Sequence, residues 1–167
     1  MSGQPFLGKY RGVVTDNADP KKLGRVRATV PDVFGDDESG WAMPCAPFGG
    51  STAGFFALPG KGAGVWIEFE HGDPDYPVWT GCWFGATSEL PSALLSSPPD
   101  QVMIVTAKGA KITLSDLPGT GGITLETAEG AKISLTASGI EIDNGKGATV
   151  KLSATQVSIN GGALEVV

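Results

Sequence analysis

The stretch GAKITLS at residues 109–115 returns almost unchanged as GAKISLT at residues 130–136, and in a degenerate form as GATVKLS at residues 147–153. Between and after these copies lie three shorter alternating segments, ITL at 123–125, IEI at 140–142 and VSI at 157–159. Apolar residues that alternate with polar ones predict β-strands with one apolar face. Each unit has an apolar face only two or three side chains long, so it cannot bury that face alone. Stacking several copies solves this problem.

The aromatic residues divide the chain near its middle. All 13 of them (seven Phe, four Trp and two Tyr) lie between residues 1 and 84, and none follows Phe84. The first half can therefore build a compact core, whereas the second half has only small and mid-sized aliphatic residues. Because one copy of this second half can hardly build a closed core, the sequence predicts a β-helix-like rod that is shared between several chains.

The bulk composition excludes some classes of protein. A net charge of −6 and a pI near 4.7 disfavour binding to nucleic acid, whose phosphates attract basic surfaces. Residues 1–10 have no long apolar stretch of the signal-peptide kind, and no run approaches the roughly 18 apolar residues of a membrane helix. We expect a soluble protein that is synthesised in the bacterial cytoplasm. Cys45 and Cys82 are too few and too dispersed for a disulfide framework or a zinc site. We predict buried, reduced structural thiols, with a disulfide formed after release from the cell as the alternative.

The first half shows strand and turn signals at short, regular spacing, and almost no helix signals. We predict five strands: 9–15, 25–30, 41–46 (an edge strand broken by Pro44), 65–69 and 78–84. The acidic run 32–38 is predicted to be an exposed loop. Five short strands in fewer than 90 residues favour a small closed barrel of the OB type.

Several motifs in this half resemble one protein family. They are LGRVRATV at 23–30, Trp41, Pro59 with Gly64 and Val65, and GDPDYPV at 72–78 continuing to Gly81. In this order they resemble the OB domain of phage baseplate assembly protein V, the central spike of contractile tails, and the matching part of type VI secretion VgrG proteins. The resemblance covers roughly residues 5–88. Those spikes continue into a trimeric β-helical needle, which agrees with the rod already predicted for the second half.

The predicted fold class is all-β, an N-terminal OB-fold barrel followed by a C-terminal intertwined trimeric β-helix. We predict an OB domain at 1–86, a Ser- and Pro-rich linker at 87–100 and the needle at 101–167. In the trimer the inward-facing apolar residues form the dry centre of the needle: Ile112, Leu114, Ile123, Leu125, Ile133, Leu135, Ile140, Ile142, Val150, Leu152, Val157 and Ile159.

The resemblance implies partners at both ends of the spike. The OB domain is expected to attach to a trimeric baseplate hub, with Trp66 and Phe34 as predicted contacts. Some spikes of this family end in a His-x-His apex that binds iron, but no histidine follows His71 here. We therefore expect the other arrangement, in which a conical PAAR-like tip protein caps a blunt end formed by Leu164, Val166 and Val167. The expected location is the tail baseplate of a virion or injection particle, with transient contact to the envelope of the target cell.

The sequence offers little for catalysis or metal binding. His71 and the Asp73–Asp75 pair lie in a predicted turn, and no Gly-x-Ser-x-Gly elbow is present. Residues 143–147 (DNGKG) lack the repeated acidic positions of a calcium loop, and residues 60–64 (GKGAG) lack phosphate-loop spacing. We predict a structural protein that is not an enzyme and has no metal or other cofactor.

Two other functions compete with the needle. The first is a trimeric β-helical adhesin or a polysaccharide-binding protein of the tailspike kind, although the second half has no aromatic residue to stack on sugars. The second is an OB-fold nucleic-acid binder, because such barrels often present aromatic residues to bases. The acidic charge and the repeats place it behind the adhesin.

Overall fold

The computed structural model describes residues 5–95 and 100–166 of the chain. The chain divides into two compact units, with the boundary between Ala86 and Thr87. The strands and helices of unit 1, in chain order, are β1 Tyr10–Asp16, β2 Arg27–Thr29, α1 Pro31–Phe34, β3 Met43–Pro44, β4 Gly49–Gly50, β5 Ala53–Gly54, β6 Gly64–Phe69 and β7 Pro77–Trp83, with a 3-10 turn at Glu70–Gly72.

Unit 1 is built on a five-stranded sheet in the order β2-β1-β6-β7-β3. Its two ends are joined through the segment that leads into β3, because Val26 and Ala42 exchange backbone hydrogen bonds and β3 then pairs with β7. The alternation that predicted the strands reappears as burial: Val65, Ile67 and Phe69 point inward from β6 and are buried. This arrangement is the barrel expected from the sequence.

Small β-branched residues fill the centre of unit 1, and aromatic rings cover one side of it. The buried hydrophobic side chains are Val14, Val26, Ala28, Val30, Ala42, Val65, Ile67 and Phe69. The ring of Phe69 lies 5.6 Å from that of Tyr10 and 6.0 Å from that of Phe6. The aromatic residues, which are confined to the first half of the sequence, therefore supply the large apolar groups that close its core.

The acidic segment 32–38 differs from the exposed loop that the sequence predicts. Its first residues belong to α1, a single helical turn that begins at Pro31. Proline is tolerated there because the first backbone N–H of a helix has no hydrogen-bond partner within the helix. Val33 and Phe34 pack against the core, and the Phe34 ring meets that of Phe69 edge-on at 5.9 Å. The two apolar residues inside the acidic run thus fold inward, while Asp36, Asp37 and Glu38 remain exposed.

Unit 2 begins with short helical turns and continues as one sheet. The predicted linker contains a 3-10 turn at Thr87–Glu89 and the helical turn α2 at Ser92–Leu95, where the Ser and Pro content had predicted no regular structure. The strands that follow are β8 Gln101–Val105, β9 Lys111–Ser115, β10 Gly122–Glu126, β11 Lys132–Thr136, β12 Gly139–Asp143, β13 Thr149–Ser153, β14 Gln156–Ile159 and β15 Leu164–Val166.

These eight strands form an antiparallel meander in which each strand pairs with its neighbours in sequence, from β8 to β15. Each of the strands β9 to β14 therefore has both edges hydrogen-bonded to strands of its own chain. A second copy can add strands only at the outer edges of β8 and β15, or pack against a face of the sheet. In the single chain, the surfaces left for the predicted sharing between copies are therefore the two faces of the sheet and the outer edges of β8 and β15.

The repeat in the sequence corresponds to a repeated hairpin turn on one side of the meander. In the turns 106–110 and 127–131, the Thr amide donates to the carbonyl of the last Ala, and the Gly amide donates back to the Thr carbonyl. The turn 144–148 has the same Asn144-to-Ala148 bond. Its glycine, like the other two, has a positive φ, with values of 94° at Gly109, 88° at Gly130 and 98° at Gly147. The Gly-Ala pair recurs because each of these turns requires a left-handed residue before the next strand.

Candidate interaction surfaces

The register of the meander aligns its apolar side chains into two continuous columns on one face. Facing residues are paired directly across the strands, for example Ile123 with both Leu114 and Leu135. The first column is Val102, Leu114, Ile123, Leu135, Ile140, Leu152 and Val157. The second column is Ile104, Ile112, Leu125, Ile133, Ile142, Val150, Ile159 and Leu164.

This apolar face is open to solvent in the single chain. Ten of the twelve residues predicted for the trimer core are between 36% and 46% exposed, and Val150 and Ile159 are half-buried. Among the described residues, every fully buried hydrophobic side chain lies in unit 1. A trough of about 760 Å³ runs along the second column. One sheet therefore brings all twelve predicted residues to one face but does not cover them.

The opposite face of the meander is polar and carries paired charges. Lys111 bonds to Glu126 at 3.1 Å, and Lys151 bonds to Glu141 at 3.1 Å. Each pair joins directly facing residues of neighbouring strands, where opposite charges favour the observed register. The contrast between the two faces indicates that the polar face remains in water and that the apolar face meets a partner.

In unit 1, the Leu-Gly-Arg-Val-Arg motif builds an arginine–tryptophan stack. The guanidinium groups of Arg25 and Arg27 lie 5.5 Å and 5.9 Å from the centre of the Trp41 ring. Arg25 also binds Asp19 at 2.6 Å, and this carboxylate, 3% exposed, accepts backbone hydrogen bonds from Lys21 and Leu23. The motif thus fixes the β1–β2 loop and the segment that closes the barrel.

The Asp19–Arg25 pair stabilises the charged form of both groups. The hydrogen bonds from Arg25, followed by those from backbone amides, hold the pKa of Asp19 far below its usual range, although desolvation opposes them. The same contact raises the pKa of Arg25. Because the pKa of Asp19 is depressed in the folded state, its contribution to stability is present above the pKa of the unfolded chain and is lost as the pH falls below it.

Of the two predicted hub contacts, Trp66 lies on the outer face of the barrel. It points away from Val65 and Ile67, its ring centre is 6.5 Å from that of Trp83, and Arg11 lies over both rings at 5.7 Å and 5.2 Å. Phe34 instead packs edge-on against the core, which leaves less of its ring for a partner. Trp83 and Arg11 join Trp66 in a surface that the sequence did not single out. Arg11 faces Trp66 directly across β1–β6, and Trp83 lies two residues along β7 from Gly81, which faces Trp66 across β6–β7.

The predicted contacts of the tip lie at the end of the meander. Leu164 begins β15 and is 57% exposed. Val166 lies in the same strand, but its side chain and all of Val167 are outside the described part of the structure. β15 pairs with β14 on one edge and is the last strand of the sheet among the described residues.

The residues considered for catalysis lie in turns. His71 is exposed, and Asp73 accepts a hydrogen bond from the amide of Asp75. In the turn after β12, Asp143 accepts one from the amide of Gly145, so its carboxylate serves the turn itself. Within residues 5–95 and 100–166, no three His, Cys, Asp or Glu side chains come together as metal ligands would.

The prediction that both cysteines are buried is wrong, because Cys45 and Cys82 are free thiols in exposed residues. Partial desolvation nevertheless raises the pKa of the Cys82 thiol. The raised pKa disfavours the reactive thiolate, so Cys82 is poorly suited to act as a nucleophile. In the part of the chain that the structure describes, no helix is both long and apolar enough to cross a membrane.

One exposed apolar surface was not predicted from the sequence. The hairpin formed by β4 and β5 presents Phe48, Phe55 and Phe56, which are 59%, 52% and 75% exposed. The signal was present, because the 22 residues from 39 to 60 contain these three phenylalanines and no charged residue. The hairpin was not predicted because the glycines on both of its strands give no apolar–polar alternation.

The two units match two described domain families. Residues 10–84 match the type VI secretion system/phage-baseplate injector OB domain, and residues 101–165 match the phage baseplate V C-terminal trimerisation domain. The chain belongs to the phage baseplate V spike family. Unit 1 is thus an injector OB domain, and the meander with the open apolar face is a trimerisation domain.

Curated relatives of this chain include two type VI secretion system spike proteins and a toxin. The chain is 35% identical over 94 residues to the spike protein VgrG3 of Vibrio cholerae, a match that covers 54% of this chain and 9% of VgrG3. It is 31% identical over 96 residues to the spike protein VgrG4b of Pseudomonas aeruginosa, covering 53% of this chain and 12% of VgrG4b. The actin cross-linking toxin VgrG1 of Vibrio cholerae is 39% identical over 75 residues, covering 42% and 7%. The matched segments span about a tenth of the length of these relatives.

The Asp19–Arg25 pair predicts how unit 1 responds to acid. Thermal unfolding midpoints measured from neutral pH down to about pH 2 should fall for the wild-type chain as the pH drops below about 4, the usual pKa of an aspartate. Asp19→Asn should have a lower midpoint at neutral pH and a flatter dependence on pH. The exposed Asp37→Asn is the control and should follow the wild-type curve. Equal slopes for wild type and Asp19→Asn would contradict the role given to this pair.

Proposed function

We propose that this chain forms the central spike at the tip of a contractile tail tube or type VI-like injection system. Three copies would pack their apolar faces together into a needle, attach through unit 1 to a trimeric hub, and carry a PAAR-like protein at the far end. The observation that supports this function is the pair of aligned apolar columns on one face of the trimerisation domain. Such a face, left in water, would be a large exposed apolar patch.

Three copies of the meander fit the mechanical task of a needle. With neighbouring strands about 4.8 Å apart, eight strands give a stack about 34 Å long whose hydrogen bonds run along its length. A push on the tip would then load many parallel hydrogen bonds together instead of peeling them one at a time. The charged pairs on the polar face would hold the register on the outside of the needle.

Three-fold packing also accounts for the width of the apolar face. Each sheet buries its face against the faces of two others, and this forms a dry centre without requiring any strand to leave its own chain. The contact would be obligate, because the described part of unit 2 has no buried core of its own. We infer that unit 2 is ordered only as a trimer.

The hub would bind the outer face of the barrel around Trp66. Tryptophan and arginine are the residue types that most often dominate binding energy at protein interfaces. Trp66, Trp83 and Arg11 are already held against one another, so little freedom would be lost on binding. In this proposal Phe34 supports the barrel more than it contacts the hub.

At the other end, three copies of β15 would present a small apolar platform to the tip protein. Leu164 is the described residue that supports this proposal, because it continues the second apolar column into the terminal strand β15 and is exposed. The proposal requires no chemical step from this chain.

The first test is the mass of the full-length protein in solution. Wild type should be a trimer of the 17.1 kDa chain. Leu135→Asp should prevent the trimer, because three carboxylates would be buried at the centre of the needle at a cost of several kcal/mol each. Thr124→Asp, on the polar face of the neighbouring strand, is the matched control and should remain trimeric. A soluble trimer of Leu135→Asp would overturn the packing of apolar faces.

The hub proposal predicts the effect of a single tryptophan. In a binding assay with the hub protein of the same machine, Trp66→Ala should weaken the complex by more than about tenfold, the loss typical of a hot-spot residue. Tyr76→Ala removes another exposed aromatic ring of unit 1 and should leave the affinity unchanged. If the two variants bind equally well, the hub uses a different face.

The tip proposal predicts that binding of the tip protein can be lost without loss of the trimer. Leu164→Asp should abolish binding of the PAAR-like protein of the same machine, because the apolar platform would then carry three charges. The trimer itself should persist, since the inner columns up to Ile159 are intact. Loss of the trimer in this variant, or unchanged capping, would each count against a tip contact at Leu164.

A further inference from the structure

The β4–β5 hairpin and the segments beside it lie in the longest uncharged stretch of the sequence of unit 1. No charged residue occurs from Ser39 to Gly60, in a chain where 18% of the residues are charged. On either side of this segment the carboxylates are dense, at 32–38 and again at 68–75. The hairpin surface is therefore a neutral area within an acidic chain, which has a net charge of −6.

The hairpin borders an apolar groove of about 770 Å³. Phe48, Phe55 and Phe56 line it from the hairpin, and Leu23 and Trp79 line it from the barrel. The three phenylalanines and Leu23 are all more than half exposed. Unit 1 already has a complete buried core without them, so their exposure is not the result of a core that is too small.

The groove is held in shape by the barrel. Trp79 donates its indole N–H to the carbonyl of Gly24 at 3.1 Å. The Phe56 ring lies directly over Gly24, where an added Cβ would come within 3.0 Å of it. Gly24 also has a φ of 75°, so the glycine of the Leu-Gly-Arg motif is required both for the turn and for the seat of this ring.

We propose that this groove and hairpin form a second contact between copies of this chain, in which the phenylalanines of one OB domain pack against a neighbouring OB domain of the trimer. The proposal rests on the trimer of the proposed function, because unit 2 brings the three OB domains together. It assigns the neutral surface to a further copy of this chain, whereas the hub binds at Trp66.

Charge favours a copy of this chain over a different partner. Copies that each carry −6 repel one another wherever their acidic segments approach, and an uncharged surface is where such copies meet at the lowest cost. A separate partner is normally steered by complementary charge, which this surface lacks. Copies that are already tethered through unit 2 need no steering, because their effective concentration is high.

Hydroxyl-radical footprinting of the full-length protein, read by mass spectrometry, tests this contact. In the wild-type trimer, Phe48, Phe55 and Phe56 should be oxidised several-fold more slowly than in the Leu135→Asp variant, which lacks the trimer. Phe84, exposed to a similar degree in the single chain, is the reference residue and should change less between the two samples.

Each outcome of the footprinting experiment either supports or overturns the proposed contact between OB domains. A wild-type trimer in which the three phenylalanines react as fast as in Leu135→Asp overturns the contact, leaves the proposed needle intact, and assigns the groove to another partner. A wild-type protein that is not a trimer overturns both the needle and this contact, and the mass measured on the same sample tells the two failures apart.

A charge variant gives an independent measurement. Phe55→Glu would place three carboxylates between the OB domains and should lower the unfolding midpoint of the full-length trimer, whereas Phe84→Glu should have little effect. Equal midpoints for the two variants would contradict the contact. The footprint of the wild-type protein decides the question even if Phe55→Glu does not fold.

Discussion

The rest of the structure depends on one constraint: the apolar face of the meander cannot be covered by its own chain. Each strand contributes only two or three apolar side chains, and none of them is aromatic. A flat face of aliphatic residues buries itself only against another such face. We therefore propose that unit 2 requires trimerisation for its stability and does not first fold as a monomer.

Each unit must bury the apolar face of its sheet, and the two units do so in different ways. Unit 1 closes its sheet around Val65, Ile67 and Phe69, and then covers one side with further aromatic rings. Unit 2 leaves its sheet open, and repeated Gly-Ala turns keep the strands in register. A self-sufficient domain that can present binding surfaces is thus joined to one that requires its own copies.

The family match gives these differences a functional order. In this chain an injector OB domain is followed by a trimerisation domain, an order that supports the proposed role as a spike. Unit 1 offers two distinct outer surfaces: the Trp66–Trp83–Arg11 cluster, which contains a charge, and the neutral hairpin groove. We propose that the first binds the hub and that the second binds neighbouring copies, so that one small barrel would both anchor the trimer and help to hold it together.

The sequence alone determined the all-β class, the barrel strands, the repeated strands of unit 2 and the twelve residues of its apolar face, because alternation with a period of two is a local property. Only the tertiary structure decided that the repeats form a meander within one chain, since strand partners depend on hairpin turns and register rather than on composition. The structure also decided that Phe34 turns inward and that Arg11, Trp66 and Trp83 meet. The exposure of the three hairpin phenylalanines was likewise decided by the tertiary structure, because other residues already fill the core of the barrel.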